Sequence, residues 1–418
     1  MRNYVILAGT AAALSACGGA GPETIGSTAP AGTVGPGSGT NAATDIYAQF
    51  ANPVDAKSYK GVGGTQRLTY TTDNRVTQGQ QGLTYSANAS TVRDSAIDIA
   101  YDPRDAIFTL TIADAKSGAG TTVRFQDPAQ RTNFGGTTEP QWGTPNLAQL
   151  PAGAAANRNV NYLQSGGGNP TSLYGQSGTG FVDPGNSTTP PDGMPGSSYT
   201  AYSFFYEKPG STTKYVSFAG YVANTVSFAN VMAGTETLTQ DSWTLERGAF
   251  AYGALTNNSA VPTSGSASYT GSMLGTMVFN PTLDDSVKKS TYFQWLTGTS
   301  TLSVNFASKQ VGLAVDGFVL DPQYDRYTTP SITVPGGATF SGSGSALIDL
   351  VGKGGFTGTF QSFAFKNGAT TLPVAVAGSS IDGAFYGPAA EEAGGGFRVV
   401  GGVPDQRVDI VGAFTGKK

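Results

Sequence analysis

Histidine is absent from the 418-residue chain, and cysteine occurs once, at position 17. Those two counts remove imidazole-based catalytic triads, histidine-ligated zinc or haem, thiolate clusters and intrachain disulfides. The remaining chemistry belongs to carboxylates, phenols and lysines. Two carboxylate pairs stand out, Asp284-Asp285 and Glu391-Glu392. A glycosidase needs two carboxyls about 5–9.5 Å apart facing one cleft, whereas neighbours on a strand point to opposite faces. The segment Gly352-Lys-Gly-Gly-Phe-Thr-Gly358 has the glycines and lysine of a phosphate loop but neither its spacing nor its strand–loop–helix setting, so it reads as a hairpin turn. No Asp-x-Asp-x-Asp-Gly calcium loop occurs. Tyrosine can ligate haem or ferric iron, yet no residue set singles out such a site. The tyrosine-rich run Tyr199 to Tyr206 reads as the core and rim of a sheet. The expectation is a non-enzyme that holds no metal and needs no cofactor. A net charge of −4 and no long Lys/Arg run give no field for nucleic acid.

The single cysteine has a specific setting. Arg2 is followed by the apolar stretch Tyr4 to Ala13, too short for a bilayer span of about 20 residues but suited to a secretory signal. The stretch ends in Leu14-Ser15-Ala16-Cys17 and then Gly18-Gly19, which resembles the lipobox of bacterial lipoproteins. That resemblance implies cleavage after residue 16 and acylation, palmitate included, at Cys17, which would tie the chain to a membrane by its lipid alone. No acidic residue follows Cys17 directly, a pattern similar to lipoproteins sorted to the outer membrane.

Elements of matching character must follow. Charged residues are only 12% of the chain, while Gly (59) and Pro (23) are abundant beside 22 Phe and 19 Tyr. Interior glycines cost a helix about 1 kcal/mol each, so short strands joined by turns are expected around an aromatic core. Residues 17–43 are Gly, Ser, Thr, Pro and Ala with hardly a large apolar side chain, and read as a tether. Residues 44–246 carry alternating runs: Leu68–Thr72, then Ala96–Tyr101 and Ala106–Ile112 as a hairpin across Asp102–Asp105, then Tyr199–Tyr206 and Lys214–Val222. Between Gln141 and Ser198 a Gly-, Asn-, Pro- and Ser-rich stretch reads as one long loop. Residues 247–418 offer nine candidate strands, which are Ala249–Leu255, Ser266–Phe279, Thr301–Phe306, Val311–Val319, Ala338–Asp349, Phe356–Phe365, Ser380–Tyr386, Gly395–Val400 and Val408–Phe414. Their even spacing predicts an eight-stranded antiparallel barrel. The fold class is thus all-β, in two parts.

Within the last part, Ala260 to Gly271 resembles the first strand of the barrel domain in transferrin-binding protein B and its relatives. Gly298–Phe306 with Val311–Gly317 is similar to that family's next hairpin. The most specific segment is Ile381-Asp-Gly-Ala-Phe-Tyr-Gly-Pro-Ala-Ala-Glu-Glu-Ala-Gly-Gly-Gly-Phe397, which fits the family pattern of Gly383, the aromatics Phe385 and Tyr386, Gly387-Pro388, Glu391 and the pair Gly394-Gly395. Those residues have a structural reading without any ligand: glycines for close approach, Pro388 for a turn and Phe385 to fill the barrel. The resemblance covers about Phe250 to Lys418 and extends only in style to the earlier part, which it would make a handle domain. The chain has room for one handle-plus-barrel lobe.

By that resemblance the chain would be a surface lipoprotein of the outer membrane that faces the exterior. It would bind a protein or solute, of iron- or haem-carrier type, and pass it to a TonB-dependent transporter in the service of iron acquisition. A structural or adhesive surface lipoprotein without a part in uptake is the alternative. The ligand-binding residues are not identified at this level.

Overall fold

A computed structural model of the chain describes residues 47, 49–73, 84–87, 96–104, 107–113, 120–126, 160–167, 198–280, 292–322, 332–403 and 406–418. Cys17 and the lipobox residues Leu14, Ser15 and Ala16 lie outside them, as do the tether and Asp284-Asp285.

The described residues form two sheets, and every strand pairing in both is antiparallel. The first contains β1 (Lys57–Asp73), β2 (Thr84–Ala87), β3 (Ala96–Asp102), β4 (Ile107–Ala113), β5 (Gly120–Gln126), β6 (Val160–Gly167), β7 (Ser198–Glu207), β8 (Val216–Ala233) and β9 (Glu236–Gly253). Its order is β5-β4-β3-β1-β9-β8-β7-β6, with β2 added to β1. We call it the handle sheet. It curls into a half-barrel around Ile97, Ile99, Leu110, Phe125, Phe204, Tyr221 and Phe250. The predicted hairpin is present, with Tyr101 opposite Phe108 in the β3–β4 register.

The second sheet contains β10 (Ser266–Asn280), β11 (Tyr292–Asn305), β12 (Gln310–Val319), β13 (Thr339–Asp349), β14 (Gly355–Asn367), β15 (Thr370–Pro373), β16 (Ala375–Tyr386), β17 (Glu392–Gly402) and β18 (Arg407–Lys417). It runs β13-β12-β11-β10-β18-β17-β16-β14 and closes through β13–β14. Eight strands therefore make a closed barrel, and β15 folds back on β14 as a short ninth. Closure leaves none of the eight with a free edge. Phe279, Tyr292, Phe356, Phe360, Phe385, Phe397 and Phe414 pack inside, so the barrel has a solid aromatic core.

Two expectations need correction. The candidate strand Ala249–Leu255 is not a barrel strand. Its residues to Gly253 are the second half of the 18-residue β9, and the expected boundary at 246/247 falls inside that strand. Arg247-Gly248 looks like a break in the sequence, but Glu246 and Arg247 are buried and the strand runs straight through them. The two sheets change over between Gly253 and Ser266. The loop expected over Gln141–Ser198 contains a strand, β6, paired to β7 from Val160↔Glu207 to Gly167↔Thr200. Its short Val-Asn-Tyr-Leu-Gln core is diluted by flanking glycines, which weaken any strand pattern.

Candidate binding site and the seam beside it

Over Phe204–Tyr206, Val216–Ala223 and Leu245–Tyr252, β7, β8 and β9 are covered on both faces because the handle sheet has two tasks. Phe204 and Tyr206 point into the handle core while Phe205, between them, points the other way. Phe205 joins Val62, Val216, Val222, Ala249 and Ala251 against the barrel's Leu274, Trp295, Ala384, Tyr386 and Ala413. Phe205 and Trp295 meet edge to face at 5.7 Å. Small residues let the two backbones approach: a Cβ on Gly396 of β17 would sit 2.7 Å from the Cα of Gly63 in β1.

The seam also holds buried polar groups. Gln66 donates to the Asp409 carbonyl at 2.7 Å. The Asp409 carboxylate, fully buried, accepts from Arg398 Nε at 3.1 Å and Nη2 at 2.6 Å. Arg247, 2% exposed, lies with its guanidinium 5.5 Å from the Phe293 ring.

The motif residues gather at one end of the seam. Gly383 pairs with Phe356 on one side and Gly395 on the other. Phe385 is in the barrel core against Tyr269, Phe306 and Phe356. Tyr386 faces the handle and bridges to Leu255 in the segment that joins the two sheets. Gly387 has φ +86°, which excludes most side chains, and opens the turn through Pro388. That turn is stitched to the connecting segment by Gly387 N–H to Ala254 O at 3.0 Å and Thr256 Oγ1 to Gly387 O at 2.6 Å. Glu391 accepts from the Ala389 N–H at 2.8 Å, and a Cβ on Gly394 would come within 2.9 Å of Val216.

Glu392, which the sequence offers only as half of a carboxylate pair, has a role across the seam. It is 3% exposed, and its carboxylate crosses to the handle to accept the backbone N–H groups of Lys214 (2.5 Å), Tyr215 (2.7 Å) and Val216 (3.1 Å). Burial pushes its pKa up, while those three donors and Lys417 pull it back. Glu207, nearby in the handle, is also raised by burial and accepts from the Thr212 hydroxyl. The acid pair Glu391-Glu392 is therefore divided between a turn and a seam, with no shared cleft between its members.

Tyr215 connects the seam to the handle's cleft. Its ring meets Tyr47 edge to face at 6.0 Å, and Lys214 lies 6.0 Å from the Tyr47 ring centroid. Tyr47 borders a cleft of about 480 Å³, a size typical of ligand pockets. Buried Phe50, Phe108, Tyr206 and Tyr252 form its floor. Tyr59 and Tyr101 stand as half-buried walls, Pro53, Pro103 and Pro209 edge it, and exposed Lys208 sits at the rim. Burial raises the Tyr59 pKa to about 12 and pushes that of Tyr252 well above its ordinary value, so both hydroxyls stay protonated. These aromatics come from β1, β3, β4, β7, β9 and the helical turn at Phe50. The one signal in the sequence was Tyr206, at the end of the tyrosine-rich run.

A second depression, about 730 Å³, lies on the barrel and is lined by Ser266, Ser303, Asn305, Gln310, Ser345 and Thr357 among others, with no ionisable side chain among its described lining. Among the described residues no helix is long and apolar enough to cross a membrane, and no group of three metal-binding side chains forms.

Residues 261–418 match the family model for the C-lobe and N-lobe beta barrels of Tf-binding protein B. The C-terminal barrel is similar to the barrels of that family. The match takes in β10 to β18 and leaves the handle sheet outside it. Among solved structures, a tryptophan-to-alanine mutant of the vaccine antigen Transferrin Binding Protein B from Haemophilus parasuis Hp5 is 15% identical. It covers 87% of this chain and 76% of its own, at a TM-score of 0.30. Isotype 1 Transferrin binding protein B from serogroup B Neisseria meningitidis is 11% identical over 87% and 77%, at 0.22. Intact Ap-TbpB, with N and C lobes, is 12% identical over 87% and 78%, at 0.27. At those TM-scores the likeness adds nothing to the fold, which rests on the strand pairings themselves. No curated protein matches the chain.

Proposed function

We propose that the chain is a capture lipoprotein: anchored to the outer membrane through acyl chains on Cys17, facing the exterior, and binding a protein ligand for hand-over to a transporter. On this reading residues 1–16 are a signal, 17–43 a tether, and the handle and barrel sheets one presenting body. The observation that carries it is the match of residues 261–418 to the family model for the barrels of Tf-binding protein B. The seam supports it, because a handle fixed to its barrel presents loops and pockets in constant relative positions, and binding to a pre-ordered surface loses less entropy.

The test is affinity capture with the full detergent-solubilised chain as bait. The prey would be solubilised outer membranes mixed with iron- and haem-bearing proteins, identified by mass spectrometry. Recovery of a TonB-dependent transporter or a metal-carrying protein is expected. Recovery of only glycan, matrix or nothing, from a bait shown to be folded, would overturn the reading in favour of a structural or adhesive role.

A further inference from the structure

The cleft in the handle has a chemistry of its own that the capture reading leaves unspecified. Its ring pairs meet at steep angles. Phe50 and Tyr59 stand at 80°, Phe50 and Tyr252 at 73°, and Tyr59 and Tyr252 at 59°, with centroids 5.4–5.8 Å apart. Tyr101 and Phe108 stand at 40°, and Phe108 and Tyr206 at 45°. Rings so arranged make a corrugated trough with faces and notches. A flat aromatic guest would want parallel walls to sandwich it. A trough of ring faces instead suits puckered, aliphatic groups laid one after another, which is how aromatic-lined grooves take polyproline II segments. Such segments have no internal hydrogen bonds, are already extended, and lose little entropy on docking.

Charge narrows the guest. Lys208 stands on the rim, Lys214 lies by Tyr47 next to it, and no carboxylate occurs among the cleft's described lining residues. Asp102, adjacent to the Tyr101 wall, accepts the Arg104 N–H at 3.0 Å. The described lining thus carries one lysine and no carboxylate, which favours a negative partner.

We propose that this cleft is a docking groove for an extended, acidic, proline-containing segment of a partner protein. Only the source of the segment rests on the capture reading; the groove's preference for proline and negative charge stands apart from it.

The test is fluorescence anisotropy with the full detergent-solubilised chain and three fluorescein-labelled decapeptides. One alternates proline with glutamate, one proline with lysine, one alanine with glutamate. The proline–glutamate peptide is expected to bind at least about tenfold more tightly than either control. Tyr101→Ala should reduce its binding by about tenfold or more, but that change could also loosen the β3–β4 hairpin. Lys208→Glu, at an exposed position, avoids this objection: it should weaken the proline–glutamate peptide about tenfold and strengthen the proline–lysine peptide. Equal affinities for the three peptides, no binding of any, or indifference to Lys208→Glu would overturn the proposal. The outcomes separate from those of affinity capture. Peptide selectivity with no protein captured would sink the capture reading and leave the groove. A protein captured equally by the parent and Lys208→Glu chains, with no peptide selectivity, would sink the groove and leave capture.

Discussion

The barrel has two outer faces built on the same alternation, and they carry opposite messages. Along β13 the inward residues Phe340, Gly342, Gly344, Ala346 and Ile348 are buried and the outward Ser341, Ser343, Ser345, Leu347 and Asp349 are exposed, Leu347 at 60%. Along β18 the inward Val408, Ile410, Gly412 and Phe414 are buried too, but so are the outward Asp409, Val411, Ala413 and Thr415. The free face presents small hydroxyls to water. The covered face presents a valine, an alanine and an ion-paired aspartate to the handle. A strand whose outward positions turn apolar or carry a paired charge is one with a neighbour.

Substitutions on the two faces should respond very differently. The largest effect is expected at Gly396, where any side chain would press on Gly63. Gly396→Val should destabilise the chain by about 3 kcal/mol in denaturant unfolding. Its counterpart on the free face is Gly312, whose nearest neighbour to an added Cβ is 3.9 Å away; Gly312→Ala should stay within about 0.5 kcal/mol of the parent.

Glu392→Ala comes next. It leaves the buried N–H of Val216 and the part-buried N–H groups of Lys214 and Tyr215 without their acceptor, at a cost of about 2–3 kcal/mol. Glu392→Gln keeps one oxygen and should lose less. A Glu392→Ala chain as stable as the parent would mean that the seam does not depend on this carboxylate.

A pH effect follows from Glu246, beneath the seam. Burial raises its carboxyl above the ordinary 4.5, against the opposing pull of Arg67. The folded chain thus holds that proton more tightly than the unfolded chain. The contribution to stability is present below pH 4.5 and is lost as pH rises through the folded value. Denaturant midpoints followed from pH 4.5 toward neutrality should fall less steeply for Glu246→Gln than for the parent. The smallest effect belongs to the free face again: removing the exposed Ser343–Ser362 contact by Ser343→Ala should change stability by under about 0.5 kcal/mol.

The barrel was legible in the sequence where its strands alternate, as β12 and β13 do, and where a short turn joins neighbours, as between β11 and β12. Its most specific segment, Ile381 to Phe397, was legible because Gly387 and its neighbours must turn tightly. Where two faces are buried the alternation disappears, and that is where reading failed. β9 reads as a break at Arg247-Gly248 because both its faces are covered. The role of Glu392 was hidden because a carboxylate in the sequence gives no sign that three amides from 176–178 residues away will meet it. The cleft was hidden for a similar reason. Its aromatics are single residues on five strands and one helical turn, brought together by register alone.

The covered face itself can be probed by thiol labelling of two cysteine variants, read against the parent with its single Cys17. Ser343→Cys places a thiol outward on the free face, and Ala413→Cys places one outward under the handle. With a maleimide reagent under native conditions, Ser343→Cys should label fully while Ala413→Cys labels only after denaturant is added. Equal labelling of the two native chains, with both shown to be folded, would contradict a handle seated on the barrel.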